Sequence, residues 1–252
     1  MPPDVPLKVS VVIPALNDAV MLAACLEALR AQTRPADEII VVDNGSVDDT
    51  ADVARRYGAI VVPEPRRGIF PATARGFDSA TGDILARLDA DSVPPRDWIA
   101  RIVPPFEHNP SLAALTGPGE FYGSTPLVHW LAERLYIGGY TWFCGMVLGH
   151  APLFGSNLAL RATAWRRMRL TVHRDVRAIH DDLDLAYHVE PDMDVLWDDT
   201  LRVGVSARPF ASASGFWRRI RWAFATLALN WQNPFARRAA RRRAREAQPA
   251  KA

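Results

Sequence analysis

A short β-branched run followed by an amphipathic stretch recurs four times in the first hundred or so residues, and this alternation constrains the fold more than any other feature. Residues 8–13 (KVSVVI), 38–42 (EIIVV), 59–62 and 83–88 (DILARL) are short and apolar, as buried strands are. After the first run, Met21, Leu22, Cys25, Leu26 and Leu29 fall on one stripe of a helix over 18–31. Residues 47–57 predict a second helix with Gly58 at its C-terminal end, and 70–80 a third. Strands alternating with helices at this pitch imply an α/β fold, a mainly parallel sheet with helices on both faces. Further along, helices are expected over 95–108 (Trp98 and Ile99 inward), 126–136, 181–189 and 215–231. Strands are expected over 112–116, 156–161, 195–197 and 201–205.

Composition narrows the function. With 49% hydrophobic residues among 252, the chain can bury a full core and fits one large domain or two small ones. Two cysteines, Cys25 and Cys144, exclude a disulfide scaffold and a cysteine-built zinc site. Six scattered histidines without a His-x-x-x-His pair count against a zinc enzyme. The net charge of +2 is uneven: nine arginines and one lysine against one glutamate give +9 from residue 216 onward, leaving −7 over the first 215. An acidic body is a poor nucleic-acid binder, so no nucleic-acid partner is expected.

No targeting segment is expected in residues 1–7, which lack an apolar stretch. Residues 135–160 carry no Asp, Glu, Lys or Arg, but their glycines and Pro152 suit turns better than a membrane span. Aromatics beside arginines after residue 215 suit an interfacial helix on anionic lipid. The expectation is a cytoplasmic chain with peripheral contact at the anionic cytoplasmic face of a membrane.

Open parallel sheets bind ligands beyond the carboxyl ends of their strands. Residues 14–18, 43–46 and 89–91 occupy those ends, and they gather polar and acidic groups. Six ordered motifs lie along residues 8–189: VSVVIPALND, IIVVDNGSVDDT, GIFPATARG, GDILARLDADS, GSNLALR and HDDLDLAYHV. Together they resemble the inverting glycosyltransferases of family 2, which have the GT-A fold. The resemblance implies transfer of a sugar from a nucleotide-diphospho-sugar donor to the hydroxyl of a small-molecule or lipid-linked acceptor. It places a GT-A domain at 1–215 and an aromatic, basic C-terminal helix and tail at 216–252.

The resemblance also assigns roles. Asp89 and Asp91, flanking Ala90, offer carboxylate oxygens to Mg²⁺ or Mn²⁺, hard ions that prefer oxygen and bridge substrate phosphates. Pro14 and Ala15 resemble the nucleoside-contacting loop, and Asp18 keeps a carboxylate where the family usually has Glu. Asp43 resembles the base-reading carboxylate, Gly45 lets the chain turn after it, and Arg75, on the helix after Gly68, resembles an arginine near the nucleotide. Gly76 replaces the usual Asn after that arginine. Asp182 matches the second member of a Glu-Asp pair, the general base. Asp48 and Asp49 read as helix N-terminal acids. Two competing classes are a nucleotidyltransferase of related fold and a non-catalytic nucleotide-binding protein. The first usually has a glycine-rich basic loop after strand one, absent from residues 14–18.

Overall fold

The four expected β-branched runs form one side of a single sheet. Strands β1 (Val9–Ala15), β2 (Glu38–Asp43), β3 (Ile60–Pro63) and β4 (Ile84–Arg87) are mutually parallel, in the spatial order β3-β2-β1-β4. The computed structural model describes residues 6–122, 138–176, 178–206, 208, 213–231 and 234–247. All of β1 and β4 is buried, as strands covered on both faces must be. Alternate β1 residues enter opposite layers, Val12 packing with Phe70 and Phe77, and Val11 and Ile13 with Leu22 and Leu26.

Helices α1 (Ala19–Arg30), α2 (Thr50–Arg56), α3 (Ile69–Ser79) and α4 (Trp98–His108) connect these strands or follow them. Each lies within three residues of its expected span, and α1 buries Leu22, Cys25, Leu26 and Leu29. Gly76 has a packing reason: a Cβ there would sit 2.2 Å from Cγ1 of Val12, so glycine lets α3 lie close on the sheet. Past β4 the topology changes. Strands β5 (Leu112–Thr116), β6 (Gly119–Tyr122), β7 (Leu158–Arg161), β8 (Asp194–Trp197) and β9 (Val203–Ser206) complete two sheets. The large one runs β3-β2-β1-β4-β7-β5-β8, with β7 antiparallel to both neighbours, while β6 and β9 form a parallel pair.

Five later helices follow: α5 (Gly138–Leu148), α6 (Ala162–Met168), α7 (Asp181–His188), α8 (Ala213–Leu229) and α9 (Pro234–Ala247). Two expectations are corrected. The glycine-rich stretch read as turns contains α5, because Cys144, Val147 and Leu148 bury in the core and packing outweighs low helix propensity. Residues 156–157 belong to a single 3₁₀ turn (Gly155–Asn157), and the strand begins only at Leu158. The helix expected over 126–136 lies outside the described residues. Among the described residues, no helix is long and apolar enough to cross a membrane.

Candidate active site

The ends of β1, β2 and β4 open onto a cavity of about 490 Å³, closed on the other side by α7 and α8. Asn44, just past β2, holds its rim together. Its N–H donates to the Ala15 carbonyl (2.9 Å), its side-chain amide to the carbonyls of Glu64 and Arg66 (2.8 Å each), and its Oδ1 accepts the Gly68 N–H (2.8 Å). One buried residue thus joins the ends of three strands to the start of α3.

Three carboxylates, Asp89, Asp181 and Asp182, act on Arg87, which is 2% exposed. Its Nη2 donates to Asp89 Oδ1 at 2.7 Å and lies 3.3 Å from Asp181 Oδ2, while Nε and Nη1 have no hydrogen-bond partner among the described residues. Burial opposes the charge on Arg87, but Asp181, Asp89 and Asp182 together hold its pKa above the ordinary arginine value. Gly155 makes room for it: a Cβ there would stand 1.8 Å from Nη1. Burial raises the pKa of Asp181 against the pull of Arg87, and Asp181 also accepts the Thr73 hydroxyl at 3.0 Å. Asp182 is more open. Its Oδ2 accepts the Gly155 N–H at 3.2 Å and its Oδ1 the Leu183 N–H at 2.8 Å, and it lines the cavity.

Asp89 Oδ2 also accepts the Ser156 hydroxyl. Asp91 Oδ2 accepts Arg208 Nη2 at 3.1 Å, and the same nitrogen donates to Asp18 Oδ1 at 2.9 Å. Burial and then the charge of Asp89 raise the Asp91 pKa, and Arg208 offsets them only in part. Excess negative charge on an all-oxygen donor set suits Mg²⁺ or Mn²⁺, and a softer metal would find no nitrogen or sulfur in the pair. Asp89 and Asp91 fit such an ion.

Of the residues expected at the site, Pro14, Ala15, Asp18, Gly68, Asp89, Ala90, Asp91 and Asp182 line the cavity. Asp43, Gly45 and Arg75 do not. Asp43 accepts the Ser46 N–H at 2.8 Å and closes the turn after β2, Gly45 sits in that turn at φ 80°, and Arg75 is exposed on the outer side of α3. Among the described residues, the arginines on the cavity wall are Arg67, Arg87, Arg218 and Arg219. Asp48 accepts the N–H groups of Ala19 (3.2 Å) and Thr50 (3.1 Å) near the start of α2, as a helix N-terminal acid does.

The C-terminal helices fasten α7 at both ends. The His180 N–H donates to Thr226 Oγ1 (2.9 Å), and Asn230 donates to buried Asp184 Oδ1 (2.7 Å). Arg237 donates to the Tyr187 carbonyl (2.9 Å) and Arg241 to that of Val189 (2.8 Å), completing the carbonyls that a helix C-terminus leaves unpaired. His173, Asp184 and His188 bring potential ligand atoms within 4.8 Å of one another. Asp184 already accepts from His173 N–H (3.0 Å), His173 Nδ1 (2.8 Å) and Asn230, and its carbonyl takes His188 Nδ1 (2.8 Å). Those bonds make the cluster a structural tie.

Residues 10–149 match the family model described as Glycosyl transferase family 2. The chain belongs to that family. It is 38% identical over 101 residues to glycosyltransferase AglE of Haloferax volcanii, covering 37% of this chain and 33% of that protein. It is likewise 38% identical over 110 residues to a PGL/p-HBAD biosynthesis glycosyltransferase of Mycobacterium tuberculosis, covering 40% of this chain and 43% of that one. The chain thus spans less than half the length of these curated relatives. Among solved structures it resembles glucosyl-3-phosphoglycerate synthase from Mycobacterium tuberculosis, solved with Mn²⁺, UDP and glucosyl-3-phosphoglycerate. The TM-score is 0.64 at 23% identity, over 89% of this chain and 80% of that one. It also resembles mannosyltransferase PcManGT from Pyrobaculum calidifontis, solved with GDP-Man and Mn²⁺, at TM-score 0.67 and 21% identity, over 97% and 72% of the two chains. The GT-A fold implied by the motifs is borne out.

Proposed function

We propose that this family 2 chain transfers a sugar, with inversion, from a nucleotide-diphospho-sugar to an acceptor hydroxyl, assisted by Mg²⁺ or Mn²⁺. One observation carries the reading: Asp89 and Asp91, from the end of β4, and Asp182, from the start of α7, line the same cavity. When bound by Asp89 and Asp91, the ion supplies Lewis-acid stabilisation of the leaving diphosphate. Pro14, Ala15, Asp18 and Gly68 form the donor wall, with Arg67 as the cation facing it. Asp43 and Gly45 lie outside the lining and shape the turn after β2, and Arg75 lies outside it on the exposed side of α3. Asp182, which lines the cavity, takes the proton of the acceptor hydroxyl. The nucleotidyltransferase alternative is less well supported, since the β1 end of the cavity presents Pro14, Ala15, Leu16 and Asp18, with no basic residue among them.

The metal assignment is tested at Asp91. Asp89 also holds Arg87, so its substitution would disturb the fold. Asp91→Asn is expected to weaken Mn²⁺-dependent binding of a nucleotide diphosphate by about tenfold or more, 1.4 kcal/mol or above, with an unchanged melting temperature. Unchanged Mn²⁺ dependence in calorimetry would overturn the assignment.

The acceptor side is built by α8. Arg219, Trp222 and Ala223 face the cavity, while Trp217, Arg221 and Phe224 (i, i+4, i+7) form the opposite face. Trp217 and Phe224 are 62% and 68% exposed, and no acidic residue occurs between 213 and 245. This supports peripheral attachment to an anionic membrane and a lipid-linked acceptor. Arg237 and Arg241 are engaged in holding α7 and Arg218 lines the cavity, leaving Arg221, Arg238, Arg242 and Arg243 for lipid. At about 1 kcal/mol each they set an upper bound near 4 kcal/mol, reduced by screening. Trp217→Ala with Phe224→Ala is expected to lower co-sedimentation with phosphatidylserine vesicles, and rising salt to lower it further. Equal sedimentation of both proteins at low and high salt would count against attachment through this face.

A further inference from the structure

Arg208 lies far along the chain from the motifs, yet its guanidinium reaches their centre. We propose that Arg208, held between Asp18 and Asp91, is a resident cation that neutralises Asp91 in place of the divalent ion, and that it moves to the donor's diphosphate when the ion binds. The inference rests on reading Asp91 as an ion ligand.

Three observations carry it. A single nitrogen, Nη2, is shared by two carboxylates from two different strand ends, 2.9 Å from Asp18 and 3.1 Å from Asp91. Both carboxylates line the cavity, with side chains 24% and 17% exposed. Charge counting then shows what the arrangement needs. Arg87 is engaged with Asp89 and Asp181, so Arg208 is the cation in contact with Asp18 and Asp91 among the described residues. A divalent ion arriving alone would add two positive charges beside a guanidinium already in place, and the two cations would compete for Asp91. An ion arriving with a diphosphate brings an anion for Arg208 as well. A planar guanidinium binds phosphate oxygens in a two-pronged fork, which the shared single-nitrogen contact does not use. Half of the Arg208 side-chain surface is exposed, and the two carboxylates that hold its guanidinium line the cavity, so the guanidinium lies at the cavity's edge and is free to turn toward a ligand there.

The consequence is coupling between ion and nucleotide that runs through one side chain. It predicts effects of opposite sign from one substitution. In Mn²⁺ titrations followed by paramagnetic resonance, without nucleotide, Arg208→Gln should bind Mn²⁺ roughly 5-fold or more tightly than the native chain, the low end of ordinary coupling between two ligands. With UDP or GDP present, calorimetry should show the same variant binding the nucleotide more weakly by a similar factor, about 5-fold or more. Arg208→Lys keeps the charge and loses the fork. It should match the native chain toward Mn²⁺ alone and resemble Arg208→Gln toward the nucleotide.

If Mn²⁺ alone binds Arg208→Gln and the native chain equally, or if the nucleotide strengthens Mn²⁺ binding equally in both, the exchange role is overturned and the metal reading stands. Asp91→Asn run in parallel separates the two: if it binds Mn²⁺ as the native chain does, with and without nucleotide, the metal reading fails and the Arg208 role fails with it.

Discussion

Asp182→Asn is expected to lower sugar transfer by roughly two to four decades, the usual contribution of a positioned general base. The geometry distinguishes it from its neighbour. Asp181 is 5% exposed and held by Thr73 and Arg87, so it has little access to an acceptor. Asp182 lines the cavity, and its oxygens accept two backbone N–H groups, with no cation in direct contact among the described residues. Asn has the same size and can still accept one of these bonds, so α7 should remain in place. The loss should fall on kcat, with nucleotide affinity nearly unchanged, because the interaction matters only as the acceptor proton leaves. Product formation measured against donor affinity by calorimetry separates the outcomes. A collapse of donor binding with transfer per bound donor intact would make Asp182 a structural residue and move the base elsewhere.

The parts of this site that were legible in the sequence share a property: each lies within a few residues of a change in hydrophobic period. The β4 run ends at Asp89 to Asp91, and α7 begins at Asp181, so strand-end reasoning reaches them directly. The hub role of Asn44, and Arg87 altogether, were not reached. Asn44 acts through backbone groups of Ala15, Glu64, Arg66 and Gly68, and a hub of that kind leaves no periodic trace. Arg87 did leave one, a lone arginine inside an apolar strand, since a buried charge without a partner is too costly to keep. Arg208 meets Asp91 across 117 residues, a separation no spacing rule covers. In the C-terminal arginine run, only the helical phase of α9 tells Arg241, 5% exposed, from its exposed neighbour Arg242. Arg75 shows the reverse difference of scale. A motif places it near the nucleotide, but α3 turns it away from the cavity wall.

Arg87→Met should be the most destabilising single change at the site. It keeps much of the side-chain volume and removes the guanidinium, leaving Asp181 buried with the Thr73 hydroxyl and no cation. Removing one partner of a buried ion pair typically costs about 3–5 kcal/mol, because the remaining charge is left without compensation. For a chain of this size that corresponds to a fall of roughly 6–20 °C in melting temperature. The pH dependence has a definite sign. Burial already raises the Asp181 pKa, with Arg87 pulling it down, so the variant should raise it further. A carboxyl whose folded pKa exceeds its unfolded value, about 3.9, binds more protons folded than unfolded between the two. Stability therefore falls as pH rises through that window and then levels off. The gap between native and variant melting temperatures should be widest at neutral pH and narrow toward pH 4. Adding Asp181→Asn removes the buried charge and keeps an acceptor for Thr73, so the double variant should recover most of the loss at pH 7. A single variant that melts with the native chain at pH 7, or a double variant no more stable than the single, would show that Arg87 does not neutralise Asp181. The two Arg87 nitrogens without a partner among the described residues, Nε and Nη1, would then be the better guide to its purpose, as donors to a ligand in the cavity.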